Sequence, residues 1–365
     1  MTAWAMVVGI NAYPSLSKLG TLGGAVADAA DFADWALNPA GGGVAPQDLY
    51  FWSHPAPVNP TPALAACLAA PSNWQATPQN PTGGPPDLTQ APTAASIIQT
   101  AADLAVRARK AGVDRLYIYL AGHGLQTKRG YSSDPETAYI AGDYMPGSTA
   151  YGMVACDDLR RLVVNQGPAE VVLFLDCCRS DTFLNMPKPN LGAPELEAYG
   201  ANLLCGVGKG AQPGAVSYEV PLGAGERGAF TKVLTYGLRN LRPGGRLTMD
   251  RLKEYVLSNI ATRDPPENQA PDLVVLPSNK QLVLASGPPL GPLPEVVIEF
   301  QRTPIDTPVR VREGGQPPRL IQSMKATAAP VTLALPIGLY FIETADGMDA
   351  ETIPHPGPEP THVVF

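Results

Sequence analysis

The sequence lacks a transmembrane stretch, a disulfide framework, a zinc spacing and an excess of positive charge, and each absence removes a class of function. No apolar run in the 365 residues approaches the ~20 that span a bilayer. Lys and Arg number 26 against 33 Asp and Glu, a net charge of −7, so neither nucleic acid nor an anionic membrane is an expected partner. Five cysteines, Cys67, Cys156, Cys177, Cys178 and Cys205, are too few and too irregular for a disulfide framework. Their spacing to the four histidines makes no zinc site. Free thiols and no metal or cofactor are expected. No positively charged leader precedes the strand-like Ala5–Ile10, so no signal peptide is expected and the location expected is cytoplasmic.

What is present is ample apolar material, 45% of residues, arranged in short buried strands alternating with amphipathic helices. That alternation predicts an α/β fold with a mostly parallel sheet covered on both faces. Leu22, Val26, Ala29, Phe32, Ala33 and Ala36 recur at helical spacing with Asp28, Asp31 and Asp34 between them. A second helix carries Ile97, Ala101, Leu104 and Ala108 and stops at Gly112. Strands are expected at 48–52, 116–120, 171–175 and 202–207, helices at 157–164, 228–241 and 247–260, and a closing extended pair at 273–276 with 281–285. Pro71 to Pro92, with Pro78, Pro81, Pro85 and Pro86 beside Gly83 and Gly84, reads as an exposed insertion. Gly287 to Pro294 reads as a stiff linker. The boundaries that follow are a catalytic region 1–286, a linker 287–294 and a small β-sandwich-like domain 295–365.

Two motifs carry chemistry. Val171–Leu175 runs into Asp176-Cys177-Cys178-Arg179-Ser180, and Leu116–Leu120 runs into Ala121-Gly122-His123-Gly124. Both strands therefore deliver reactive side chains to one sheet edge, the carboxyl edge where open α/β sheets bind ligands. A cysteine nucleophile needs its thiolate beside an imidazole, and the imidazole must then protonate the leaving amine. The backbone N–H groups of Gly124 and Cys178 are candidates to hold the oxyanion. Buried cysteines with a core histidine would explain either motif alone. It is a poor account of both, each directly after an apolar strand and the His between glycines.

Ala121-Gly122-His123-Gly124-Leu125-Gln126 resembles the S-G-H-G-x-Q segment of metacaspases and bacterial caspase-like peptidases, and Asp176–Ser180 resembles their D-[SC]-C-H-S segment. The separation, 178 − 123 = 55 residues, is close to the roughly 50 of caspase-type proteases. Val8-Gly9-Ile10-Asn11-Ala12-Tyr13 and Leu22–Ala29 are similar to the family's opening G-I-N-x-Y and L-x-G-x-x-N-D-A, and Gly228-Ala229-Phe230-Thr231 to its later G-x-F-T. The resemblance covers roughly Met1 to Ala285. It implies a caspase-like fold and a cysteine endopeptidase in which Cys178 is the nucleophile and His123 its partner. On a strand end neighbouring side chains point opposite ways, so Cys177 is expected to face the core. The resemblance further implies cleavage after Arg or Lys, with Asp28 and Asp176 lining the pocket for that residue.

Arg179 departs from the family's usual His after the nucleophile. No dense acidic run follows His123, so calcium dependence is not expected. Lys128 to Ser133 reads as a loop beside the site and a candidate for self-cleavage. The expected partners are a protein or peptide substrate and an activating or regulatory protein, with roles in regulated proteolysis, stress response or antiviral defence implied by the resemblance. Two other readings stand beside this one: a catalytically silent caspase-fold scaffold, and a hydrolase using the same dyad on a non-peptide substrate.

Overall fold

The computed structural model describes residues 1–14, 21–69, 88–129, 135–145, 151–178, 181–186, 204–211, 217–222, 225–242, 245–260, 269–290, 295–313, 319–335, 338–347, 349–355 and 361–365. Along the chain, β1 (Ala3–Ile10) leads to α1 (Ala25–Leu37), β2 (Val44–His54), α2 (Pro62–Ala69), α3 (Ala94–Lys110) and β3 (Arg115–Ala121). Next come β4 (Gly124–Arg129), β5 (Pro135–Ile140), β6 (Met153–Ala155), α4 (Cys156–Gln166) and β7 (Glu170–Asp176). β8 (Asp181–Met186), β9 (Leu204–Lys209), β10 (Glu219–Leu222) and β11 (Gly225–Gly228) precede α5 (Ala229–Asn240), β12 (Arg246–Thr248), α6 (Met249–Ile260), β13 (Asp272–Leu276) and β14 (Val283–Ser286). The chain divides into two compact units, Met1–Thr235 with Thr248–Leu284, and Tyr236–Leu247 with Ala285–Phe365.

The first unit is α/β. Its 6-stranded sheet has the order β13-β9-β7-β3-β1-β2, parallel throughout except for the antiparallel edge strand β13. Strands buried on both faces must be apolar along their whole length, which is why β3 and β7 read as unbroken runs. Leu116, Ile118, Leu120, Val171, Leu173 and Leu175 join the core with α3 and α4 residues such as Ile97, Leu104, Leu159 and Val163. Tyr117, Tyr119 and Phe174, of opposite parity, meet α1 through Phe32, which stacks on Tyr119 at 4.5 Å and 14° and meets Phe174 edge-on. Burying one such ring contributes roughly 1.5–3 kcal/mol. The cluster fixes α1, and with it Asp28, against the sheet.

Helix ends follow local chemistry. Thr93 caps α3 by accepting the Ser96 N–H, Arg107, Arg109 and Lys110 occupy its last turn, and Gly112 takes φ +68° beyond it. Asn11 at the end of β1 accepts the Val26 N–H at 2.9 Å and so closes the start of α1.

Two expectations need correction. The strand 272–276 does not close on 281–285; it pairs antiparallel with β9, extending the main sheet at its edge. Lys128 and Arg129 are not in a loop. They end β4, which pairs antiparallel with β5 and parallel with β8 in a separate 4-stranded sheet, β6-β5-β4-β8. Residues 124–127 are all buried, so the segment carries no polar–apolar alternation to mark it as a strand. Residues 130–134, most of the proline-rich stretch (71–87) and 291–294 of the expected linker lie outside the described residues.

In the second unit, β15 (Glu295–Glu299), β16 (Pro308–Glu313), β17 (Arg319–Lys325), β18 (Val331–Ala334), β19 (Gly338–Thr344), β20 (Ala350–His355) and β21 (Thr361–Val364) form two sheets, β18-β15-β21 and β17-β16-β19-β20. Alternate residues, among them Val296, Ile298, Val309, Val311, Tyr340, Ile342 and Ile353, form its core. No helix among the described residues is long and apolar enough to cross a membrane.

Candidate active site

β3 and β7 are neighbours in register, with Ala121 opposite Asp176, and the Gly122 N–H donates to the Asp176 carbonyl at 3.1 Å. The two motifs therefore leave the sheet side by side. One pocket is lined by His123, Cys178, Asp28 and Asp176, together with Leu22, Ala25, Ala121, Gly122, Ser217, Tyr218, Glu219 and Gly228. Four of the five residues singled out in the sequence thus converge.

The cysteine pair divides as alternation requires. Cys177 continues the parity of Leu173 and Leu175 into the buried core, whereas Cys178 is partly exposed and lines the pocket. Gly124, the fifth residue, begins β4 opposite Tyr139 and packs behind the pair. A Cβ there would lie 2.6 Å from the Cys178 carbonyl oxygen and 2.7 Å from Cys177 Sγ. Only glycine permits that approach.

The His123 peptide is held at both ends. Its N–H donates to the Tyr13 hydroxyl at 2.7 Å, and its carbonyl accepts the Ile140 N–H at 2.9 Å. Gly122 takes φ +156°.

The acids are buried, Asp28 at 2% and Asp176 at 6% exposure, and both meet donors of their own chain. Asp28 accepts from Arg227 Nε at 2.5 Å and from the Gly228 N–H at 2.7 Å. Asp176 accepts from the Ser217 hydroxyl at 2.6 Å and from the Thr231 hydroxyl and N–H at 2.6 and 3.2 Å. The 228–231 motif thus docks one end on each carboxylate. Gly228 sits where a Cβ would come 2.3 Å from Asp176 and 2.8 Å from Asp28. Burial, then the Asp176 charge, holds Asp28 well above the usual carboxylate range despite Arg227. Burial also raises Asp176, against its hydrogen bonds to Ser217 and Thr231.

The Cys178 thiol donates to the Ser217 carbonyl at 3.5 Å. Burial pushes it up, the bond to Ser217 opposes this, and the Asp176 and Glu219 charges add to the rise. A thiol held up in this way needs a base before it can act as a nucleophile.

The 217–228 segment is what sequence reasoning missed, apart from Gly228. Glu219 accepts the N–H groups of Gly23 and Gly24 at 3.0 and 2.5 Å, at the start of α1. Gln269 accepts the Tyr218 N–H at 3.1 Å and donates to the Ser217 hydroxyl at 3.1 Å. Ser217, Tyr218 and Glu219 form no periodic run, so no local signal marks them. Arg227, paired with both Asp28 and Asp31, has only its charge to announce it.

Residues 2–271 match the model of the caspase domain, peptidase C14. A probable protease of a Desulfuromonadales bacterium is 24% identical over 369 residues, covering 94% of this chain and 41% of that protein, so the chain spans well under half of that relative. Caspase-1 from Spodoptera frugiperda is 12% identical with a TM-score of 0.47, covering 78% of this chain and 92% of that one. A protein from Geobacter sulfurreducens is 17% identical with a TM-score of 0.45, covering 75% of this chain and 93% of that one.

Proposed function

The chain belongs to the caspase-domain family of cysteine peptidases, and from that premise we propose that it is an endopeptidase that cuts after Arg or Lys with Cys178 and His123. The observation that carries the reading is the convergence of those two side chains, from the ends of adjacent strands, on a pocket that also holds two buried carboxylates.

In this reading His123 takes the Cys178 proton, and the thiolate attacks the scissile carbonyl carbon. The N–H groups of Cys178 and Gly124 hold the resulting oxyanion. The carbon–nitrogen bond breaks as His123 returns its proton to the leaving amine, leaving a thioester on Cys178. His123 then takes a proton from water, whose oxygen displaces the sulfur and frees the acid product.

The preference for a basic residue is supported by charge. Asp28 and Asp31 pair with one guanidinium, Arg227, whose charge also acts on Asp176, so three acidic groups share one cation. A substrate cation would offset the burial that raises both pocket acids and the Asp176 charge that further raises Asp28, and would use carboxylate lone pairs that the internal donors leave vacant. It would also offset the Asp176 charge that opposes thiolate formation. A metacaspase-like enzyme of this type fits regulated proteolysis, stress response or antiviral defence in the cytoplasm, with the C-terminal β sheets recruiting a protein substrate or regulator.

The test is incubation of the purified chain with a library of fluorogenic peptides, with and without calcium. Turnover of Arg and Lys peptides in both conditions is expected; cleavage confined to peptides with other residues at that position contradicts the specificity.

A further inference from the structure

The Tyr13 phenol reaches the turn that carries His123 and makes two contacts with it. Its hydroxyl accepts the His123 N–H at 2.7 Å. Its ring lies 5.0 Å from the imidazole, centroid to centroid, at 42°. The same hydroxyl lies 2.4 Å from where a Cβ on Gly122 would stand, so the residue before His123 has room for nothing beyond hydrogen. Tyr13 is buried, and burial raises its phenol above the ordinary value, so it acts as a neutral hydroxyl. The opening 9–13 motif otherwise has no part in the chemistry.

We infer that Tyr13 is a positioning residue for His123, fixing the Gly122–His123 peptide so that the imidazole stands over Cys178. The inference rests on the dyad reading above. A backbone N–H that loses its acceptor seeks another, and the turn shifts to supply one. A shift of about 1 Å at a reacting group costs on the order of 100-fold in rate.

The experiment compares kcat and KM of the full chain carrying Tyr13→Phe, Gly122→Ala, both together, and His123→Ala. Tyr13→Phe keeps the ring and removes the acceptor, so kcat should fall about 10- to 100-fold with KM within about twofold. Gly122→Ala pushes a methyl into the same hydroxyl, and also to 3.1 Å from Tyr139 at a φ of +156°, so its kcat should fall at least as far as that of Tyr13→Phe. Because Gly122→Ala already disrupts the contact that Tyr13→Phe removes, the double variant should be no slower than Gly122→Ala alone. If Tyr13→Phe does not fold, 3-fluorotyrosine at position 13 keeps the shape and weakens the acceptor, and kcat must still fall. Unchanged kcat in either Tyr13 variant, a loss carried by KM alone, or multiplying losses in the double variant would overturn the inference. Full activity in His123→Ala would overturn the dyad reading instead, and the two failures are distinguished within the one series.

Discussion

Arg227 Nε donates to Asp28 Oδ1 at 2.5 Å, while the same guanidinium reaches Asp31 at 2.7 Å. A strand just before α5 is thereby pinned to two successive turns of α1, and the deeper carboxylate already carries a cation of its own chain. The pair is both a strut of the fold and a setting for the pocket charge.

Arg227→Ala should therefore cost stability before it alters specificity. It leaves Asp28 buried with only the Gly228 N–H, and removing one partner of a buried ion pair costs about 3–5 kcal/mol. Thermal unfolding should show a clear fall in midpoint for Arg227→Ala and a smaller one for Arg227→Lys, which keeps the charge but not the two-pronged geometry. Equal midpoints for the alanine variant and the parent would mean the ion pair contributes nothing.

Substrate charge is tested by peptides identical except for Arg or Asp before the scissile bond. The Arg peptide should be cleaved faster, and Asp28→Ala or Asp176→Ala should lower its kcat/KM by the equivalent of about 2–5 kcal/mol. Faster cleavage of the Asp peptide would refute the basic pocket.

The charge beside the thiol gives a signed pH prediction. Asp176 helps to raise Cys178, so Asp176→Asn, which keeps the shape and removes the charge, should move the pH profile of Cys178 alkylation to lower pH. Iodoacetamide rates from pH 6 to 10, read by mass spectrometry, report it. A profile unmoved or displaced to higher pH would mean Asp176 does not act on the thiol.

The sequence made legible what is local and periodic. β3 and β7 were readable because burial on both faces forces unbroken apolar runs, and the residues just after them, His123 and Cys178, fall on one sheet edge by the logic of parallel strands. The opposite facing of Cys177 and Cys178 followed from alternation alone. Pairings that depend on distant segments were not readable. Arg227 is 199 residues from Asp28 and Glu219 is 195 from Gly24, and neither lies in a pattern that names its partner. The edge position of β13 was missed because strand pairing is set by the whole sheet, whereas sequence proximity suggested 281–285 as its mate.

The central claim, that Cys178 and not its neighbour is the nucleophile, is tested most directly by peptide turnover in Cys178→Ala and Cys177→Ala side by side. Cys178→Ala should be inactive, while Cys177→Ala, which loses one small buried side chain, should keep substantial activity. Turnover retained by Cys178→Ala would contradict the account.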